Sequence, residues 1–308
     1  MDYLLIIIGF VLLIFGADFL VSGASGLAKR FNVPNLVIGL TIVAFGTSAP
    51  EMVVNIMAAI QNQPEIAFTN IIGSNTINTF IILGVAALIY PIASQRSSRR
   101  FDIPISFLAG IVIISLTFFT KNELTRWGGL VLLGIFSIFM FVTVRKGIRE
   151  PEESEEDYKP IKTWLAMLMI IGGITGLIIG GNLIVKSAIN IATAWGVSES
   201  VIGLTIIALG TSLPELATSA VAACKKNSDI ALGNVIGSNI FNVFFVLGIS
   251  AVINPLKTYC DLNFDCLIAT LGSALVLIFV YTNKNHKILR WQGVLLLITY
   301  TCYLVWRL

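Results

Sequence analysis

Gly46-Thr47-Ser48-Ala49-Pro50-Glu51 recurs as Gly210-Thr211-Ser212-Leu213-Pro214-Glu215. Each copy sets a proline and a carboxylate inside an apolar run long enough to cross a bilayer. A charge at the bilayer centre costs about 2.5–3.5 kcal/mol on insertion scales, so its presence there needs a reason. Two copies, each beside a helix breaker, point to a cation site in discontinuous membrane helices rather than to glutamates buried for packing.

The rest of the chain fits that setting. Its 308 residues are 56% hydrophobic and only 12% charged, with a mean hydropathy of +0.90. That is too little charge to cover a soluble domain. The apolar runs are continuous and near helix-span length, which excludes an alternating outer-membrane barrel. The net charge of +3 sits in short loops and carries no nucleic-acid signal. Cys224, Cys260, Cys266 and Cys302 share no metal-ligand spacing and read as small hydrophobes. The first apolar run reads as a retained span, because it lacks a basic start and a small-residue cleavage site.

Ten spans are predicted, at 3–27, 35–60, 65–90, 102–120, 126–145, 163–194, 199–224, 229–253, 263–282 and 288–306. They form an all-α polytopic membrane protein. A hydrophilic linker at 146–162, with Glu152, Glu153, Glu155, Glu156 and Asp157, divides a first five-helix unit (1–145) from a second (163–308). The linker reads as solvated and is too short for a folded domain.

Adding 164 to a position in the first unit gives its counterpart in the second. Val37–Glu51 maps onto Val201–Glu215 with twelve of fifteen residues identical. Ile72-Gly73-Ser74-Asn75 maps onto Ile236-Gly237-Ser238-Asn239, Pro91 onto Pro255, and Arg126-Trp127 onto Arg290-Trp291. A duplicated unit with an odd number of spans enters the membrane from opposite sides, giving inverted repeats. Fifteen Lys and Arg residues fall in one set of loops and four in the other. This bias places both termini outside. The tryptophans Trp127, Trp164, Trp195, Trp291 and Trp306 fall near span ends, as interface anchors do.

In the second span, Thr47 and Ser48 precede Glu51 by four and three residues and share its helical face. Pro50 has no N–H for the Gly46 carbonyl and displaces it, so the helix should break and free the carbonyls of Gly46 and Thr47. Carboxylate, hydroxyl and carbonyl oxygens suit hard cations such as Ca²⁺ and Na⁺. Thr211, Ser212, Pro214 and Glu215 repeat the arrangement. Asn70, Ser74 and Asn78 form a polar stripe on the third span, and Asn234, Ser238 and Asn242 form one on the eighth. Alone, such stripes serve equally well as glue between helices; opposite a broken acidic helix they become candidate ligands. Gly73 and Gly237 should let the helices approach closely.

Inversion would bring both glutamates, the hydroxyls and the stripes to one midplane cavity. Cations and protons are then expected to compete for the carboxylates. The lack of Cys or His in these segments argues against zinc or copper. Asp18, matched by Asn182, reads as a residue that caps or pairs near an interface rather than as a ligand. His286 reads as solvated in a basic loop.

The paired GTSxPE hexapeptides, each followed by an IGSN segment, resemble the alpha-repeats of the sodium/calcium exchangers of the calcium:cation antiporter superfamily. The resemblance covers both units. It implies a Na⁺/Ca²⁺ antiporter working by alternating access, with the first and sixth helices sliding past the other eight. It also implies a set of cation ligands. These are Ala44 and Thr47 (through carbonyls), Ser48, Glu51, Ser74 and Asn78, with Ala208, Thr211, Ser212, Glu215, Ser238 and Asn242 from the second unit. The glutamates would bind Ca²⁺ directly, while the serines and alanine carbonyls would help form flanking Na⁺ sites. Some members carry Asp at the place of Asn242, and in the potassium-dependent branch that acid is tied to K⁺. A second departure is Thr69, where the other copy has Gly233. Rival readings are a Ca²⁺/H⁺ or K⁺-dependent exchanger of the same build, a cation channel, and an intramembrane hydrolase. The hydrolase lacks a second acid beside each glutamate and a Ser–His pair. The expected setting is a cell membrane, with Ca²⁺ and Na⁺ as transported ions, no cofactor, the lipid bilayer as surroundings and no obligate protein partner.

Overall fold

The computed structural model describes residues 1–120, 122–149, 161–196, 208–258 and 262–307. The acidic run from Glu152 to Asp157, Lys121, Lys159, Cys260 and the start of the seventh predicted span (199–207) lie outside the described residues.

The described chain is almost entirely helical. Its helices are α1 (Asp2–Phe31), α2 (Asn35–Thr47), α3 (Ala49–Ile60), α4 (Pro64–Ile89), α5 (Ser98–Phe119) and α6 (Arg126–Arg149). The second unit follows with α7 (Thr163–Ala194), α8 (Ala208–Thr211), α9 (Leu213–Cys224), α10 (Ser228–Ile253), α11 (Leu262–Thr282) and α12 (Arg290–Arg307). Seven described helices are long and apolar enough to span a membrane, or eight if the bent pair α2–α3 counts as one. With so many apolar helices the protein is integral to a membrane. Helix α6 runs to Arg149, four residues past the predicted end of the first unit.

Helices α4 and α10 are the centre of the bundle: 78% of each apolar window is buried, against 28–39% for the other five long helices. Both contain a wide π-helical turn, at Asn78–Ile82 and Phe241–Leu247. Such turns are rare and occur frequently at functional sites.

Helices α1 and α7 run to 30 and 32 residues, about 45–48 Å at 1.5 Å per residue. Each therefore exceeds a hydrocarbon layer of about 30 Å and either tilts or projects beyond it. They pack against each other backbone to backbone. A Cβ on Gly16 would lie 2.9 Å from the Gly173 carbonyl, and one on Gly173 would lie 2.7 Å from the Gly16 carbonyl. Gly9 and Gly180 meet in the same way. Small residues permit this approach where lipid gives no hydrophobic drive for association. The outward faces of the pair stay apolar and exposed, as at Phe10, Ile14, Phe15 and Ile171.

Two short antiparallel ladders amend the all-helical expectation. β1 (Ile92–Ala93) pairs with β4 (Lys287–Ile288), and β2 (Glu123–Leu124) pairs with β3 (Leu256–Lys257). Strands of two residues, set in loops, are too short to leave a period in the sequence. The registers are reciprocal: Ile92↔Ile288 becomes Leu256↔Leu124 when each residue is exchanged for its counterpart 164 positions away. Helix α5 joins β1 to β2, so the ladders lie at its opposite ends. The left-handed residues obey the same offset. Asn32 pairs with Gly196, Asn62 with Lys226, and Asn122 with His286. His286 is half-buried rather than solvated: its Nδ1 lies 2.9 Å from the Val280 carbonyl and its own carbonyl receives the Ser94 hydroxyl. All five tryptophans are exposed.

Candidate cation site

The helical hydrogen-bond ladder of α2 ends where the Ser48 N–H donates to the Ala44 carbonyl. It resumes in α3 where the Met52 N–H donates to the Ser48 carbonyl. Between them the carbonyls of Phe45, Gly46 and Thr47 receive no helical bond, and the two helices diverge by 51°. Pro50 does not kink a continuous helix; it sits in the first turn of a new one, where its missing N–H costs nothing. That places Glu51 in the first turn of α3, where the positive end of the helix dipole favours a carboxylate. The second copy does the same: Ser212 separates α8 from α9, Pro214 lies in the first turn, and Glu215 follows it.

Both glutamates are fully buried, and each is held by a serine of the other unit. The Ser48 hydroxyl donates to Glu215 Oε1 at 2.8 Å, and the Ser212 hydroxyl to Glu51 Oε1 at 3.4 Å. Ser48 also meets the Ser238 hydroxyl at 2.9 Å, and Ser74 reaches Glu51 Oε1 at 3.4 Å. Thr47 donates to Asn234 Oδ1 at 3.0 Å, whereas the hydroxyl of its counterpart Thr211 makes no such amide bond and faces Glu51. The Ala44 carbonyl already accepts the Ser48 N–H and the Thr47 hydroxyl. Ala208 opens the short α8, one turn before Ser212.

The stripes divide into two roles. Asn70 and Asn234 are braces: each amide donates to the backbone carbonyl of its own unit's glutamate, at 3.3 and 3.2 Å. Each also reaches a second polar residue on α3 or α9, namely Asn55 for Asn70 and Ser219 for Asn234. Asn78 and Asn242 instead stand at the seam between α4 and α10. Asn78 donates to Asn239 Oδ1 and Asn242 to Asn75 Oδ1, at 3.2 and 3.1 Å. Gly237 lets α2 pack onto α10, since a Cβ there would lie 2.8 Å from the Leu40 Cα and from the Ala44 Cβ. No described atom lies within 4 Å of a Cβ placed on Gly73.

Within this cluster four buried carboxylate and amide oxygens receive no hydrogen bond: Glu51 Oε2, Glu215 Oε2, Asn78 Oδ1 and Asn242 Oδ1. Buried polar atoms rarely go unsatisfied, and an unbound ion is one explanation. Asn55, Ser219, Asn75, Asn239 and Thr79 belong to the same network although the stripe spacing does not select them. For the first four the signal is recurrence or polar replacement at the 164 offset inside apolar runs, at 55/219 and 75/239; Thr79, matched by Val243, carries none.

Comparison with known proteins decides the family. The model of the family described as sodium/calcium exchanger protein matches residues 1–145 and 165–308. The chain belongs to the sodium/calcium exchanger family. This is a family of transporters rather than of enzymes, and its members are calcium:cation antiporters. Among curated relatives, a putative antiporter CaxA of Alkalimonas amylolytica is 38% identical, covering 97% of this chain and 96% of the relative. The sodium/calcium exchanger MaX1 of Methanosarcina acetivorans is 32% identical over 99% of this chain and 97% of its own length. Among solved structures, the exchanger NCX_Mj soaked with 2.5 mM Na⁺ and 0.1 mM Ca²⁺ superposes with a TM-score of 0.85. It is 33% identical, with 99% of this exchanger and 97% of that chain covered.

Proposed function

We propose that this exchanger is a cell-membrane antiporter that moves Ca²⁺ against Na⁺ by alternating access, as a single chain of ten spans. The observation that carries the site is the set of four unsatisfied acceptor oxygens on Glu51, Glu215, Asn78 and Asn242. An ionised carboxylate buried without compensation costs several kcal/mol. Two of them match one Ca²⁺ in charge, or two or more Na⁺. Glu51 and Glu215 would bind Ca²⁺ directly. Ser48, Ser74, Ser212 and Ser238, Asn78 and Asn242, and the carbonyls of Ala44, Thr47, Ala208 and Thr211 would complete the Ca²⁺ and flanking Na⁺ sites. All are oxygen donors, as hard cations require.

The reciprocal ladders support an inverted-repeat reading. α4 leads into β1 at one end of α5, and α10 leads into β3 at the other. The two equivalent helices then run in opposite senses. The loops joined by each ladder also fall on the same side of the membrane when both termini are outside. The 1–145 and 163–308 division, with its 146–162 linker, follows from the same repeat.

The reading is tested by Ca²⁺ uptake into proteoliposomes with Na⁺, K⁺ and H⁺ gradients imposed one at a time. An outward-directed inside-to-outside Na⁺ gradient alone should drive uptake. Uptake that needs K⁺, or follows pH alone, would replace Na⁺/Ca²⁺ exchange with a potassium-dependent or proton-coupled form. Flux without any counter-ion would make it a channel. Because protons and Ca²⁺ would share the carboxylates, apparent Ca²⁺ affinity should fall as pH is lowered.

A further inference from the structure

One ion pair lies outside the site and is not repeated by the internal duplication. Lys225 follows α9, in the short connection to α10, and its ammonium reaches three acceptors on α1. It lies 2.6 Å from Asp18 Oδ1, 2.7 Å from Ser22 Oγ and 3.3 Å from the Asp18 carbonyl. Two residues on, the buried Asn227 amide donates to Ser25 Oγ at 3.1 Å. Asp18, Ser22 and Ser25 are spaced four and three apart and so line one face of α1. All three donors of the ammonium are used, although Lys225 and Asp18 keep 24% and 45% of their side-chain surface exposed.

The equivalent place in the other unit is formed by α7 and the connection from α3 to α4. There Asn182, Lys186 and Ile189 stand for Asp18, Ser22 and Ser25, and Gln61 and Gln63 stand for Lys225 and Asn227. Among the described residues no side-chain hydrogen bond joins them, and Asn182, Lys186 and Gln61 are exposed. Meanwhile α1 is tied to α7 by the glycine crossing and by the Asn190 amide on Asp2 at 3.1 Å. The pair is therefore held to the remaining helices by a charged contact at one end and lacks the matching contact at the other.

We propose that Lys225 with Asp18 and Ser22 is a one-sided latch that holds the α1–α7 pair in the position seen in this structure. This rests on the alternating-access reading above. With the termini outside, the latch lies at the inner face, so it favours the arrangement in which that face is closed. When the pair slides, Asp18 leaves Lys225, and no ion pair at the other end replaces it. The latch thus positions the pair and sets the ratio of the two facing states; it does not touch the transported ions.

The test uses full-length protein in lipid nanodiscs, with the native cysteines replaced and spin labels on Phe31→Cys, at the end of α1, and Lys284→Cys. Distance distributions are compared for the unaltered latch, Lys225→Ala, and the swap Asp18→Lys/Lys225→Asp. Exposed ion pairs are worth at most about 1 kcal/mol, so Lys225→Ala should shift the ratio of the two distance populations by about fivefold. The swapped pair should return it towards the original ratio while the thermal midpoint stays within the spread of the others. An unchanged distribution for Lys225→Ala, or a swap that fails to restore it, would overturn the latch. Na⁺-driven Ca²⁺ uptake by the same preparations, with Glu51→Gln as the inactive control, separates the two claims. Absence of such uptake counts against the exchange reading; normal uptake with unmoved populations counts against the latch alone.

Discussion

The two broken helices carry nearly the same residues but are not bonded alike. Ser48 grips Glu215 at 2.8 Å and a second serine at 2.9 Å, while Ser212 reaches Glu51 only at 3.4 Å. Thr47 is tied to Asn234 of the other unit, whereas Thr211 makes no such cross-unit amide bond and turns its hydroxyl to Glu51. The first elbow is packed onto α10, where Gly237 admits Leu40 and Ala44, while among the described residues Gly73 has no such neighbour. Near-identical sequence therefore fixes which atoms are offered to an ion but not how firmly each copy holds them. Such inequality is what a duplicated transporter needs if one conformation is to differ from its mirror state.

The largest expected effect tests the feature the copies share. Glu51→Gln and Glu215→Gln should each reduce Na⁺-driven Ca²⁺ uptake by at least about 100-fold, since removing one partner of a buried charged set costs roughly 3–5 kcal/mol. One active variant would show that the carboxylates are not equivalent. Gly237→Ala comes next. The added methyl meets backbone, and overpacking costs about 1–3 kcal/mol, so the thermal midpoint in detergent should fall measurably. The serines sharpen the comparison directly. Ser48→Ala should weaken Ca²⁺ binding, read by calorimetry, by about tenfold, because it strips a short hydrogen bond to a charged group. Ser212→Ala, losing a longer contact, should cost only a fewfold change by the same reasoning about hydrogen-bond length. Equal losses would erase the distinction. The smallest effect is expected at the seam. Asn75→Ala and Asn239→Ala should each lower stability by about 1 kcal/mol, seen as a small drop in the thermal midpoint.

Much of this was legible beforehand. That a helix breaks beside Pro50 and Pro214 was legible because proline cannot continue the ladder, though the breaks fall at Ser48 and Ser212 and each proline opens the next helix. Helical spacing did not place Ser48, which lies at the break between α2 and α3 and grips Glu215 rather than Glu51. The family could be named from the doubled hexapeptide. Spacing did not reveal that Asn70 and Asn234 brace the glutamate backbones rather than face an open cavity, because a stripe does not say what lies opposite it. Asn75 and Asn239 escaped for a related reason: each follows a stripe serine by one residue, about 100° round the helix, and faces the other unit's helix instead. The ladders were invisible because two residues carry no period. The unlike bonding of the two elbows arises from tertiary position, which two near-identical segments cannot encode by themselves.

The paired strands beyond the site have a mechanical consequence. Ile92, Leu124, Leu256 and Ile288 are all buried, and each ladder clasps a loop of one unit to a loop of the other. With α5 as a strut between the clasps, the central helices form a frame fastened at both rims. A frame so fastened resists splaying, so under the proposed alternating access the long outer pair would be the part that travels. A disulfide joining positions 92 and 288 should accordingly leave turnover intact.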